Sequence, residues 1–446
     1  MSAVSLLRRW GLRLGGVVGA QGIVQLCNAA AGLLVVRFLP RESAYAWFTV
    51  ASSMLIMVTL FADLGLSAAL QAVGGPLWED RRRFSSVVAA LRNWQRWTTL
   101  VAVLMVVPWM LVLLQRLHAP LWSLVGASAM LMAFAWPSAA GILLSHVNRL
   151  HSRLRPQVMA ELSSAFARLV LTAVSVGLGC WLLGGTLASV PVGAFLAVLA
   201  APVLAGWLLY ALVRREASRL LDENAGSSHE FDARIRGIVA GSMAFTLYYG
   251  LQGQVSTWLI SLQGASAQVA DVGALSRLGV LFSLATAPVV QVATPAFARC
   301  RDRDKLRRQL LLTCGLFVLF SGGVLLLVTL LPGPLLWLLG PQYAHLAMEL
   351  RLAALVPAVT GLCGITWGLV MARGWIKSSA LVVPAGVAAQ VAGVFLFDLT
   401  TVSGVLLFNL FILLPLLLLA CLVIWRGFRR WKVEMEKQKG EMTELE

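Results

Sequence analysis

Apolar runs of about 20 residues recur from one end of this chain to the other with only short polar breaks between them. That recurrence constrains the fold more than any other feature. Within a bilayer the backbone must satisfy its own hydrogen bonds, so repeated apolar runs of this length mean a bundle of transmembrane helices. The totals agree: of 446 residues, 59% are hydrophobic and 13% charged, more apolar surface than one soluble core could hide. Turn residues and charge clusters divide the chain into twelve spans, near 15–38, 45–70, 98–115, 119–147, 157–182, 186–212, 237–261, 269–298, 309–331, 343–372, 379–397 and 401–426. The expected fold class is all-α integral membrane.

The formal charge of +16 does not read as a nucleic-acid surface, because the basic residues sit at the ends of apolar runs rather than in a patch interleaved with aromatics. With the N-terminus cytoplasmic, 30 of the 36 Lys and Arg fall on the inner side, and the positive-inside rule then puts both termini in the cytoplasm. The opening MSAVSLLRRWGLRLGG begins like a signal peptide, but the apolar stretch after it is too long for one and leads into another span. It reads as an uncleaved first helix. Six cysteines show no metal-ligand spacing and read as packing residues.

Two extramembrane segments stand out. Residues 71–97 carry Trp78, Phe84, Val88, Leu91 and Trp94 at a spacing that predicts an interfacial amphipathic helix. Residues 213–236 mix both charge signs with Gly and Ser and read as a cytoplasmic linker between an N-terminal lobe, 1–212, and a C-terminal lobe, 237–426, with a cytoplasmic tail at 427–446. Two halves of equal span number and like orientation match the parallel repeats of secondary transporters, with substrate near the midplane between them. The expectation is about 12 helices in two pseudo-symmetric six-helix lobes around a central cavity.

Polar residues three, four and seven apart share one helix face. The fifth span carries Glu161, Ser164, Arg168, Thr172 and Ser175 on one line; the first carries Gln21, Gln25 and Asn28; the second Ser52, Thr59, Asp63 and Ser67. The seventh has Ser242, Thr246, Tyr249 and Ser256, and the eighth Ser276, Ser283, Gln291 and Thr294. Any one of these could be ordinary interhelical hydrogen bonding, but recurrence across five spans favours a lined cavity.

Three arginines, Arg168, Arg277 and Arg351, lie within spans. Arg168 sits about 16 Å from the inner end of its span, near the middle of the membrane and hard to snorkel from; Arg277 and Arg351 lie about 12 Å from their outer ends. Arg37 reads as a snorkelling side chain and Arg41 as a loop charge. An intramembrane guanidinium costs about 2.5–3.5 kcal/mol or more, which calls for an internal carboxylate or an anionic substrate. Asp63 reads as the deepest acid, either an ion-coupling residue or a counter-ion for an arginine. Since Arg grips phosphate oxygens bidentately without losing its proton, the excess of bases points to a phosphate-bearing substrate. Prolines at 288, 295, 357 and 384 allow bending.

No phosphate loop, HExxH, GxSxG or clustered His/Asp pair occurs. Neither an enzyme, a cofactor nor a metal is expected.

Three segments carry a resemblance: VVRFLPRESAYAWFTVASSMLIMVTLFADLGLSAAL (35–70), VGALSRLGVLFSLATAPVVQVATPAFAR (272–299) and LLWLLGPQYAHLAMELRLAALVPAVTGL (335–362). With the six-plus-six count, the chain resembles the polysaccharide-transporter branch of the multidrug/oligosaccharidyl-lipid/polysaccharide exporter superfamily, the flippases of O-antigen and exopolysaccharide repeat units. The resemblance implies two lobes, alternating access, and transfer of an undecaprenyl-diphosphate-linked glycan across the bacterial inner membrane. Membrane lipids, a polysaccharide polymerase and glycosyltransferases are its implied partners. Cavity arginines would engage the diphosphate, here Arg168 and Arg277, with Arg351, Gln21, Gln25, Asn28, Ser164, Thr172, Tyr249 and Gln291 as further lining candidates. Where many relatives carry an acid in span seven, this chain has Gln252 and Gln254, which leaves the coupling ion open. The alternatives are an ion-coupled multidrug or cation exporter of the same fold and a membrane-embedded glycosyltransferase or polymerase.

Overall fold

The computed structural model describes residues 3–151, 153–182, 191–222, 226, 231–263, 265–282, 286, 297, 302–372 and 381–443. No strand occurs among the described residues, so the all-α expectation holds. Numbered in chain order, the helices are α1 (Ala3–Phe38), α2 (Ala46–Asp63), α3 (Leu66–Ala69), α4 (Arg81–Arg116), α5 (Leu121–Leu150), α6 (Leu154–Leu182), α7 (Pro191–Ser218), α8 (Asp232–Gln252), α9 (Val255–Leu262) and α10 (Ser266–Arg277). They continue with α11 (Arg303–Leu330), α12 (Pro332–Leu339), α13 (Glu349–Ala372), α14 (Val382–Leu396) and α15 (Val402–Thr443). Among the described residues nine helical stretches are long and apolar enough to cross a membrane. Three of the twelve expected spans are not among the nine. Span seven is broken between α8 and α9 at Gly253 and Gln254, span eight falls partly outside the described residues, and span eleven is described over the 15 residues of α14.

Packing divides the chain into two compact units, Met1–Arg277 with Leu338–Gln342, and Leu278–Trp337 with Tyr343–Glu446. In the first, α1 packs along α6, α7 along both α5 and α6, and α2 against α4 and α5. Its best-defined core joins Leu66, Phe84, Val88, Leu91, Leu143, Val147, Val213 and Ile235. This core corrects the reading of residues 71–97. Residues 81–97 form the first turns of α4, 36 residues and about 54 Å long. Their apolar stripe is covered by other helices, which offer a protein core in place of a lipid headgroup layer.

The second span is interrupted where the sequence reads Asp63-Leu64-Gly65. Leu64 (φ 37°) and Gly65 (φ 88°) are left-handed, a conformation glycine tolerates and leucine resists. The Asp63 carboxylate accepts hydrogen bonds from the Ser67 N–H (3.2 Å) and hydroxyl (2.6 Å), capping the helix that follows, and Thr98 of α4 donates to the Ala62 carbonyl at 2.7 Å. A carbonyl left bare in lipid is costly. Thr98→Val should therefore lower stability by about 1–3 kcal/mol, read as a drop in Tm of the purified protein; unchanged melting would mean that another donor serves Ala62.

In the second unit α13 packs against α11 and α15, and α14 against α15. Asp302 caps α11, accepting from the N–H groups of Asp304 (2.9 Å) and Lys305 (3.2 Å). These backbone donors hold its carboxyl below the usual aspartate range. Small residues set the close contacts: a Cβ at Gly393 would stand 2.7 Å from the Phe408 ring, and one at Gly361 would run into the Phe317 ring. Pro384 occupies the first turn of α14, where its missing N–H breaks no helical bond. Pro357 lies inside α13, while Pro288 and Pro295 lie outside the described residues.

Candidate functional site

The polar face of α1 meets that of α6. Gln21 donates to Glu161, and Arg168 donates through Nη1 to Asn28 Oδ1 at 3.3 Å. Both pairs are separated by 140 residues, so the helices run parallel in fixed register, as the first and fifth spans of an alternating bundle must. Arg168 is the midpoint of the 29-residue α6. Gln25 lies half-buried one turn from Gln21. On the side of α6 toward α7, the Ser164 hydroxyl donates to the Ala205 carbonyl at 2.8 Å, that of Ser175 to Ala197 at 3.2 Å, and Thr172 is buried. The stripe on α6 therefore serves two seams, of which the α1 seam carries the charge.

Below Arg168, Glu161 is fully engaged: Arg149 reaches it at 3.1 Å and Gln157 at 2.7 Å, besides Gln21. Gln157 also donates to Ser145 at 3.0 Å. The acid two turns from Arg168 thus balances Arg149 and leaves Arg168 with a neutral amide.

Arg277 is the last residue of α10, where free carbonyls and the negative end of the helix dipole favour a cation. Its guanidinium lies 5.7 Å from the Phe48 ring centroid and against the Tyr45 hydroxyl, and its stem crosses α1 at Gly32, where a Cβ would come within 3.3 Å of Cδ. Arg277 therefore lies against α1 and the start of α2 within the first unit. Its Nε is buried without an acceptor among the described residues.

One turn and a half earlier on α10, Asp271 is 3% exposed and receives Arg41 in a two-pronged bridge, Nε to Oδ1 at 2.8 Å and Nη2 to Oδ2 at 2.6 Å. The sequence reading missed this acid and took Arg41 for a loop charge. The available signal was an aspartate inside the apolar run that begins at 269. Its neighbour Gly273 lets α10 close on α2, since a Cβ there would stand 2.6 Å from Thr49 Oγ1. Although alanine is the better helix former by about 1 kcal/mol, Gly273→Ala is expected to destabilise the protein by about 1–3 kcal/mol through overpacking. Recovery of Tm on adding Thr49→Ala would locate the clash; a stabilised Gly273→Ala protein would refute it.

The charges sort as follows. Asp271 neutralises Arg41 and Glu161 neutralises Arg149, while Arg168 and Arg277 lie within each other's electrostatic reach and form no salt bridge among the described residues. Two guanidiniums so placed are suited to an anion with several oxygens. Asp63 stands apart from them, its carboxylate occupied at the α2–α3 break and near His146. Arg351 does not have the depth inferred for it: residues 341–346 form a separate 3-10 turn, α13 starts at Glu349, and Arg351 stands exposed in its first turn. The side chain of Tyr249 and all of Gln291 lie outside the described residues. Among the described residues no group of three or more His, Cys, Asp or Glu could hold a metal.

No protein-family profile matches the chain, and no curated protein does. Solved structures do. An inward-facing multidrug resistance MATE family transporter of the MOP superfamily is similar over 93% of this chain and 96% of its own, with TM-score 0.66 and 15% identity. A MOP superfamily transporter from Pyrococcus furiosus, described as having a binding pocket of reverse polarity that suggests a different function, is similar over 93% and 94%, with TM-score 0.57 and 16% identity. A eukaryotic MATE transporter is similar over 95% and 99%, with TM-score 0.52 and 13% identity. The chain has the fold of these membrane transporters.

Proposed function

We propose that this protein is an alternating-access flippase that carries a lipid-diphosphate-linked oligosaccharide repeat unit across the bacterial inner membrane, for O-antigen, capsule or exopolysaccharide synthesis. The observation that carries the proposal is the pair Arg168 and Arg277, two guanidiniums on α6 and α10 that act on each other and form no salt bridge among the described residues. Burial of such charges is costly unless something balances them, and a diphosphate supplies negative charge and bidentate acceptors together. Asn28, Gln21 and Gln25 supply neutral polar contacts along the same seam, suited to sugar hydroxyls. The lipid tail remains in the bilayer while the two lobes, 1–212 and 237–426, alternate in exposing the site. Both termini face the cytoplasm, following the distribution of basic residues. Ion coupling, where it operates, falls to Asp63, whose carboxylate holds Ser67 at the α2–α3 break.

A second reading, export of drugs or cations, draws on the descriptions of the structural neighbours. The two differ in the sign of the ligand. The purified protein is expected to gain Tm with a short-chain polyprenyl diphosphate and not with ethidium. Stabilisation by ethidium alone would replace the flippase reading with the exporter.

A further inference from the structure

At the basic end of the first unit, where Arg81 at the start of α4 donates to the Leu221 carbonyl just past α7 at 2.8 Å, lies an arginine cluster that the transport site does not use. Arg92 and Arg96 stand one turn apart on α4 and Arg214 lies on α7. The charged groups acting on half-buried Arg92 are Arg96 and Arg214, with Tyr210 beside them. Arg214 lies 5.9 Å from the Tyr210 ring centroid, and Arg236 of α8 lies 6.0 Å from that of Trp94. None of these arginines forms a salt bridge among the described residues; the acid on this stretch of α7, Glu216, is held by Arg219 at 2.9 Å.

Depth matters here. Arg92 is about 36 Å from the far end of α4 and Arg214 about 35 Å from the start of α7, which puts both at the boundary of a core of about 30 Å. The exposed Trp97 and Trp207 lie about 8 and 10 Å nearer mid-membrane on the same helices, as aromatic residues do where acyl chains give way to headgroups. Beyond them, toward mid-membrane, α4, α5 and α7 expose Leu104, Met132 and Leu204, a surface for acyl chains. Scattered topological charges would repel into solvent; these converge, and one of them is partly desolvated.

We infer that Arg92, Arg96 and Arg214 form a binding site for the phosphate headgroup of an anionic membrane phospholipid, on the outer surface of the first unit. It is separate from the proposed transport site and independent of that reading. The test is native mass spectrometry of the full-length protein titrated with phosphatidylglycerol and, separately, phosphatidylcholine. Wild type should retain phosphatidylglycerol preferentially. Arg92→Gln/Arg96→Gln/Arg214→Gln should weaken that retention about 100-fold, at about fivefold per arginine, while Arg303→Gln/Arg307→Gln/Arg308→Gln, which removes equal charge from the start of α11, should leave it near wild type. Arg214→Gln alone, at an exposed position, should lose about fivefold and covers the case in which the triple variant fails to fold. Equal loss from both triple variants would show a response to net charge and overturn the site. So would an unchanged Arg214→Gln, or displacement of the lipid by millimolar inorganic phosphate, which would mark a free-phosphate site instead.

Discussion

Replacing Arg168 by alanine is expected to reduce transbilayer movement of a polyprenyl-diphosphate glycan about 10- to 100-fold, with Arg277→Ala having a similar effect. A charge-assisted hydrogen bond contributes about 1.5–3 kcal/mol, and each arginine would supply one or two to the diphosphate. The folded protein should tolerate either change. Arg168 gives up one contact of 3.3 Å to a neutral amide, and the buried Nε of Arg277 has no acceptor to lose among the described residues. The double variant should fall short of the product of the singles, because two groups gripping one ligand do not act independently. Arg168→Lys should recover only part of the flux, since an ammonium keeps the charge without the fork. Flux that survives both alanine variants would remove the arginines from the mechanism.

The largest effect on stability is expected at the opposite kind of charge, the paired one. Arg41→Ala leaves the Asp271 carboxylate, 3% exposed, without the cation that meets both of its oxygens. Breaking a buried pair from one side costs about 3–5 kcal/mol. Replacing both members by apolar residues of similar size, Arg41→Met with Asp271→Leu, should restore most of the loss, because the desolvation penalty disappears with the charges. The bridge ties the turn at Arg41–Tyr45 to α10 and so fixes Tyr45 and Phe48, which contact Arg277. Arg41→Ala should therefore also lower flux, and the double replacement should restore Tm more fully than flux. A single variant that melts like wild type would show that the bridge does not hold the turn to α10.

Some of this was legible in the sequence and some was not, and the division follows the range of the interactions. Spans announce themselves through apolar length, and the α6 stripe through helical spacing; Gln21 and Asn28 on α1 and Glu161 and Arg168 on α6 are local patterns that only had to meet. Arg41 and Asp271 are 230 residues apart. Neither belongs to a helical stripe, so Arg41 read as a loop charge and Asp271 was passed over. Apolarity also fails to show where a helix begins: residues 343–346, read as the start of span ten, belong to a short turn, and α13 begins only at Glu349, which leaves Arg351 exposed. At Asp63-Leu64-Gly65 the aspartate was visible and its work was not, because capping the next segment depends on a left-handed turn. Residues 81–97 show the same limit from another side. An amphipathic stripe states that one face is covered, but a lipid interface and a protein core both satisfy it.

The central claim is that an arginine pair in this transporter fold serves a lipid-linked diphosphate. Its most direct test is a flux measurement: the wild-type protein in liposomes containing a fluorescent polyprenyl-diphosphate glycan, with accessibility of the outer leaflet followed over time. The account predicts movement of the diphosphate-linked glycan well above protein-free liposomes, and little movement of a matched glycan on an uncharged polyprenyl carrier. Equal movement of the two carriers, or movement of neither while a cationic dye is carried, would contradict it.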